Sequence, residues 1–178
     1  MSLLLSSWRV TKSCGSASSF LSNCVSADKE LVEDDVRNNS AWNQRWFVAH
    51  RGKHEKLTLE GAQTEADYAL EQANKDPYNE SPWRFLIAVV KEQPSLVEWC
   101  EQKAQDMTQV IENADRDREG CVNLNSARID LLEMQDSAES LRAAIELAKA
   151  MGAKHDVIRR KYWTLRVGEM ETKLERSK

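Results

Sequence analysis

Only six glycines and three prolines interrupt the 178 residues of this chain. With so few breakers there is little material for the frequent turns of a β-sandwich. An apolar share of 41% beside 30% charged residues also excludes a disordered tract. Lysine and arginine are nowhere concentrated and the net charge is −4, so no nucleic-acid surface is expected. No apolar run approaches the ~18 residues of a membrane-spanning helix. The four cysteines, Cys14, Cys24, Cys100 and Cys121, are scattered without a Cys-x-x-Cys pair, which fits reduced thiols and a cytoplasmic setting better than a disulfide framework. Also missing are alternating strand patterns, a Ser/His/Asp set, a glycine-rich phosphate loop and an acidic metal cluster.

What is present is helical periodicity, about one domain's worth. Residues 1–26 stand apart, being Ser-rich and almost free of acid. Arg9, Lys12 and the serines have a transit-peptide flavour, but the expectation is a poorly ordered segment outside the repeats. From Asp28 the pattern turns amphipathic, with Leu31 and Val32 inward. It pauses at Asn38 and Asn39, resumes with Trp42, Trp46 and Ala49 at helical spacing, and breaks at Gly52. A helix from Leu59 stops at Asp76-Pro77. The next is expected to be capped by Ser81 with Pro82 in its first position. Ser95 to Glu98 reads as a capping box opening the following helix, which carries Leu96, Val97, Cys100, Ala104, Met107 and Ile111. After a charged break come helices over "NLNSARIDLLEMQ" and "AESLRAAIELAKAM", the latter opened by Asp136 to Glu139 and closed by Gly152. A last helix begins near His155, an end residue, and frays over residues 171–178.

The helices fall into pairs that resemble one another. Asn79, Ser81 and Trp83 repeat Asn38, Ser40 and Trp42 at a constant offset of 41, and a weaker third copy begins at Asn123 with Ala127 in place of the indole. Helical hairpins repeating every ~40 residues define an α-solenoid, in which each hairpin buries its apolar face on its neighbours. The fold class expected is all-α, a right-handed superhelical stack of antiparallel hairpins. Trp42 and Trp83 read as core residues of successive hairpins rather than as a ligand-reading pair.

An Asn-x-x-x-Trp-x-x-Arg core, here Asn38, Trp42 and Arg45 with Asn39 beside them, resembles the repeats of protein prenyltransferase α subunits. "DDVRNNSAWNQRWFV" is similar to one repeat of the α subunit shared by protein farnesyltransferase and geranylgeranyltransferase type I. "NESPWRFLIAVV", with Asn79, Ser81 and Trp83, resembles the next. "HDVIRRKYW", with Arg159, Tyr162 and Trp163, resembles its last helix. The blocks keep the family's order over about residues 27–170, leaving 171–178 as a tail. The resemblance implies a heterodimer with a β subunit that joins a farnesyl or geranylgeranyl group, supplied as the prenyl diphosphate, to the cysteine of CaaX proteins. Zinc on the β subunit and magnesium are implied for the complete enzyme, and no cofactor for this chain. The Rab-type geranylgeranyltransferase α subunit carries related repeats, and a non-catalytic solenoid scaffold is the alternative of another class.

The sequence departs from that family in one respect. The residues that face the diphosphate lie in repeats of the Lys-Asn-Tyr-x-x-Trp-His-His-Arg type, which this chain lacks, and Asn39 and Ser40 stand where neighbouring family repeats carry Tyr and His. No catalytic residue carries over. The chain therefore reads as the C-terminal part of an α subunit, inactive and marginally soluble by itself.

Other candidates have plainer readings. His50 and His54 have the spacing of two metal ligands on a helix, but Gly52 intervenes and no third ligand is near, so they read as a solvated loop pair. Cys100 lies on an apolar stripe and Cys121 in a loop, neither marked as activated. Arg159, Arg160 and Lys161 with Arg166 form a cationic cluster able to meet an anion or simply a solvated helical face.

Overall fold

The computed structural model describes residues 32, 34–50, 56–114 and 120–176. The expectations for residues 1–26, Cys14, Cys24, Leu31, Gly52, His54 and the last two residues lie outside them. Among the described residues seven α-helices have defined bounds: α1 Asn39–Ala49, α2 Leu59–Lys75, α3 Glu80–Glu92, α4 Val97–Ala114, α5 Val122–Gln135, α6 Ala138–Ala150 and α7 Arg160–Arg176. No strand occurs among the described residues.

Local chemistry sets each start. The Asn38 carboxamide accepts from the N–H groups of Ser40 and Ala41 at 3.0 and 3.3 Å, which opens α1. Thr58 does the same for α2 through Gly61 N–H at 3.1 Å. Asn79, not Ser81, caps α3, accepting from Ser81 N–H at 3.1 Å, so the helix begins at Glu80 and Pro82 is its third residue. Proline fits there because the first-turn N–H groups have no intrahelical partner. The box expected at Ser95 does not form. A 3₁₀ turn over Pro94–Leu96 runs straight into α4.

Two further boundaries differ from the sequence pattern. Ser137 caps α6 with its partner at Ser140 rather than at an acid, the two side chains and backbones exchanging bonds of 3.0 and 3.1 Å. Gly152 does not close α6 in a left-handed conformation. The helix passes into a π turn over Met151–His155, and a Cβ at Gly152 would stand 3.2 Å from that of Trp163. Its value is the close approach of α6's end to α7. Gly120, by contrast, has φ +87°, and a Cβ there would collide with the His155 ring. Helix α7 stays regular through Arg176, past the boundary expected near residue 170, because Met170 is buried and Leu174 packs on the core.

Packing gives the hairpins α2–α3, α4–α5 and α6–α7. Helices α1, α3 and α5 stack side by side, and α2 lies against α4 in the other layer. One core runs from Val32 and Trp42 through the small face of α2 (Ala62, Ala66, Ala69, Ala73) and the apolar α3 to Leu124 and Leu131 of α5. A second joins Ile129 and Leu132 of α5 to α6, Trp163 and Met170. Both repeat tryptophans are interior, Trp42 at 3% and Trp83 at 2% exposure.

Candidate functional site

The repeat residues form a register of hydrogen bonds between successive hairpins. The Trp42 indole donates to the Val36 carbonyl at 2.8 Å, and that of Trp83 to the Pro77 carbonyl at 2.9 Å. Each carbonyl also receives a donor from the following repeat. The Asn79 amide donates to Val36 at 2.7 Å, and the Cys121 thiol to Pro77 at 3.0 Å. Ser81 adds a bond from its hydroxyl to the Asn39 carboxamide at 3.0 Å. These asparagines thus fasten turn to turn, and their polar groups are matched inside the stack.

Cys121 therefore occupies the asparagine position of a third repeat. It precedes α5 as Asn38 precedes α1 and Asn79 precedes α3, although its side chain makes no capping bond. This corrects the register that began at Asn123 with Ala127 as the indole equivalent. The connection is one residue longer, and the position four after the cap falls on Asn125, 4% exposed, whose Oδ1 has no hydrogen-bond partner among the described residues. Asn123 instead donates to the Tyr78 carbonyl at 2.6 Å.

Three residues beyond that position stands an arginine in most repeats. Arg45, 7% exposed, forks onto Glu65 of α2 at 2.6 and 3.1 Å and lies 3.5 Å over the Tyr68 ring. Arg128 reaches Glu101 of α4 at 3.0 and 3.3 Å. Arg166, three after the buried Trp163, meets Asp130 at 2.9 Å and Glu133 at 2.6 Å on α5. In the second repeat the position holds the buried Leu86. Sequence reasoning found Arg45 but missed Arg128 and Arg166 as its counterparts; at Arg128 the spacing was hidden by Asn125 in the tryptophan position and by the shifted cap.

Arg166 does not join a solvated cationic face. Burial works against its charge, but the Asp130 carboxylate and the Tyr162 hydroxyl outweigh that and hold the guanidinium proton more firmly than usual. Its bonds belong to a ladder across α3, α5 and α7: Glu80 to Arg84 at 2.9 Å, Arg84 to Asp130 at 3.8 Å, Asp130 to Arg166, then Glu133. Lys173 to Asp136 at 2.8 Å adds a further α7 cross-link. Lys91 and Met134 line the same groove. Of the remaining cluster, Arg159 binds Asp156 at 2.6 Å, Arg160 donates to the Gly152 carbonyl at 3.2 Å, and Lys161 is exposed. Tyr162 is partly exposed and packs edge-on against Trp163, 4.8 Å between centroids.

His50 is likewise not part of a solvated loop. It is 8% exposed, packed at a tilt against Trp46 with 4.2 Å between ring centroids, and has Nδ1 2.7 Å from the Trp46 carbonyl and Nε2 2.9 and 3.1 Å from the Glu92 carboxylate. At the end of α1 the ring reaches Glu92 of α3, a contact that periodicity alone does not reveal. Cys100 and Cys121 are buried free thiols, both pushed up by burial, Cys100 to about 12 with help from the Asp67 charge. Among the described residues no group of three His, Cys, Asp or Glu could hold a metal ion, and no helix is long and apolar enough to cross a membrane.

Stacked hairpins joined at shared carbonyls define a helical-repeat protein with the protein prenyltransferase α-subunit fold. A chain of Candida albicans protein geranylgeranyltransferase-I complexed with GGPP superposes with a TM-score of 0.65 at 20% identity, covering 82% of this chain and 46% of that one. In sequence, the chain is similar to the α subunit of protein farnesyltransferase/geranylgeranyltransferase type-1 of several organisms. It is 28% identical to the Dictyostelium discoideum subunit over 82% of this chain and 44% of that protein. The Arabidopsis thaliana and Pisum sativum subunits are 40% and 37% identical over 35% and 38% of this chain, which span 19% and 20% of theirs. The chain thus spans less than half the length of the curated relatives it matches. No protein-family profile matches it.

Proposed function

We propose that this chain serves in the cytoplasm as α-subunit material of a heterodimeric CaaX protein prenyltransferase, transferring a farnesyl or geranylgeranyl group from its diphosphate to a C-terminal cysteine thiolate. The observation that supports this reading most is that sequence similarity and the hairpin stack each extend over 82% of the chain. Its own residues supply rigidity. Buried Trp42, Trp83 and Trp163 and the inter-hairpin bonds hold a fixed surface against a β subunit, which is a positioning role rather than a chemical one. Zinc on the partner and magnesium with the diphosphate belong to the proposed complex, and no step through either is assigned to this chain.

Co-expression with a matched CaaX-type β subunit tests the reading. The expected result is a stable one-to-one complex, and no prenyl transfer to a CaaX peptide by this chain alone. Preference for a Rab-type β subunit would move the assignment to that enzyme. Binding to neither would leave the solenoid scaffold and overturn the proposal. Turnover by the isolated chain would overturn the positioning role.

A further inference from the structure

Helix α7 is apolar along two sides. Trp163, Val167, Met170 and Leu174 pack on the second core. The other stripe begins in a 3₁₀ turn over Val157–Arg159, which runs straight into the helix. Ile158, Tyr162 and Leu165 follow at i, i+4 and i+7, so they share one face. Ile158 is 100% exposed and Leu165 63%, with Val157 and Tyr162 partly exposed beside them. Single apolar side chains on a surface need no explanation, whereas a contiguous stripe of them marks a place that another surface covers. The stripe is also held firmly. The Tyr162 ring packs on Trp163, and its hydroxyl accepts from Arg166, which Asp130 and Glu133 fix in turn. A tyrosine braced in this way loses little further freedom when a partner buries it.

Charge defines what the covering surface must be. Lys161 stands within the stripe, three residues after Ile158 and four before Leu165, with Arg160 beside it. Both are exposed, the first turn of α7 holds no acid, and Lys154 is exposed in the turn before it. Cations at the start of a helix work against its dipole, so acidic groups brought there by a partner relieve both. A second copy of this chain, paired about a two-fold axis through the stripe, would set these same cations face to face. An anionic bilayer would attract the stripe but repel a chain of net charge −4. We infer that Ile158, Tyr162 and Leu165, with Lys161 among them, form a docking surface for an apolar, acid-rimmed patch of the β subunit. The inference rests on the α-subunit reading above and adds to it the place at which the partner is gripped.

The test uses the complex co-expressed with a matched CaaX-type β subunit. Two cysteine probes are placed where the chain itself is equally open, Leu165→Cys on the stripe and Val110→Cys on α4, a residue 65% exposed. In the purified complex, alkylation at position 165 should be roughly tenfold slower than at position 110, read by peptide mass spectrometry. Ile158→Ser should speed exchange of the bound chain against labelled wild-type chain by roughly tenfold, without changing helical ellipticity. Lys161→Glu should slow assembly at low salt, and added salt should remove the difference. Equal alkylation at the two probes, or wild-type exchange by Ile158→Ser, in a complex that does form would overturn the docking surface and leave the α-subunit reading standing. Failure of the wild-type chain to bind the β subunit would overturn both. Dimerisation of the chain alone with position 165 shielded would give the stripe to a second copy. Capture by phosphatidylserine-bearing vesicles that Ile158→Ser abolishes would give it to a bilayer, and either result would overturn the proposal.

Discussion

At the scale of single residues, the molecule depends on a few polar groups that are buried but matched. Arg45 is the sharpest case. Replacing it with alanine removes a two-pronged bond to Glu65 and the cation over Tyr68, and should cost about 3 kcal/mol in urea unfolding. Lysine should recover little of that, lacking the planar fork. In a complete heterodimer, Arg45→Ala should lower stability or assembly and leave the chemical step unchanged. Loss of turnover with intact assembly would contradict the positioning role. Trp42→Ala should cost about 3–5 kcal/mol, while Trp42→Phe should cost much less, because the Val36 carbonyl keeps its bond from Asn79. The thiols have a pH signature. Cys100 titrates at about 12 in the fold against an ordinary 9.0, so its contribution is intact below pH 9 and is lost between those values as the unfolded chain ionises first. Thiol reagents at neutral pH should leave Cys100 and Cys121 unmodified until denaturant is added. The core roles of Trp42, Trp83 and Cys100 were legible in the sequence because each sits on an apolar stripe. The burial of His50 was not, since it depends on a contact 42 positions away.

At the scale of elements, the caps explain both what could be read and what was misread. Asparagine before an aromatic helix is a local signal, and it marked the opening of α1, whereas at α3 the expectation fell on Ser81, two residues past the cap that Asn79 provides. A cysteine in the same place carries no such signal, so the third repeat was displaced by two residues. The equivalence predicts a stabilising substitution. Cys121→Asn should add the missing side-chain cap and keep a donor to the Pro77 carbonyl, raising stability by about 1 kcal/mol. Comparison of urea midpoints at constant slope would measure it, and a loss would mean that the third repeat does not share the register. The termination of α6 was misread for a similar reason. Glycine near a helix end usually signals a left-handed cap, whereas Gly152 serves the approach of Trp163. Gly152→Ala should therefore destabilise the α6–α7 hairpin by about 1–3 kcal/mol, although alanine is the better helix former.

At the scale of the whole molecule, the charged ladder ties three successive hairpins by their second helices. Arg166→Ala leaves Asp130 and Glu133 without their shared cation and should cost about 3 kcal/mol, with the loss concentrated in amide protection of α7. Hydrogen exchange spread evenly over all helices would argue against that local role. The carbonyls of Val36 and Pro77 have a consequence of another kind. Each accepts at once from the indole of its own repeat and from the side chain that opens the next, so a turn is complete only when the following hairpin has docked. In a linear array, stability is a sum of unit terms and junction terms, and whichever is larger decides how the array comes apart. Here part of each unit's own bonding has been moved into the junction. Loss of one hairpin strips a donor from the turn of its neighbour, so the boundary between melted and intact repeats is costly. The stack should then unfold as one cooperative body, with tryptophan fluorescence and helical ellipticity falling together, rather than unravel hairpin by hairpin from an end.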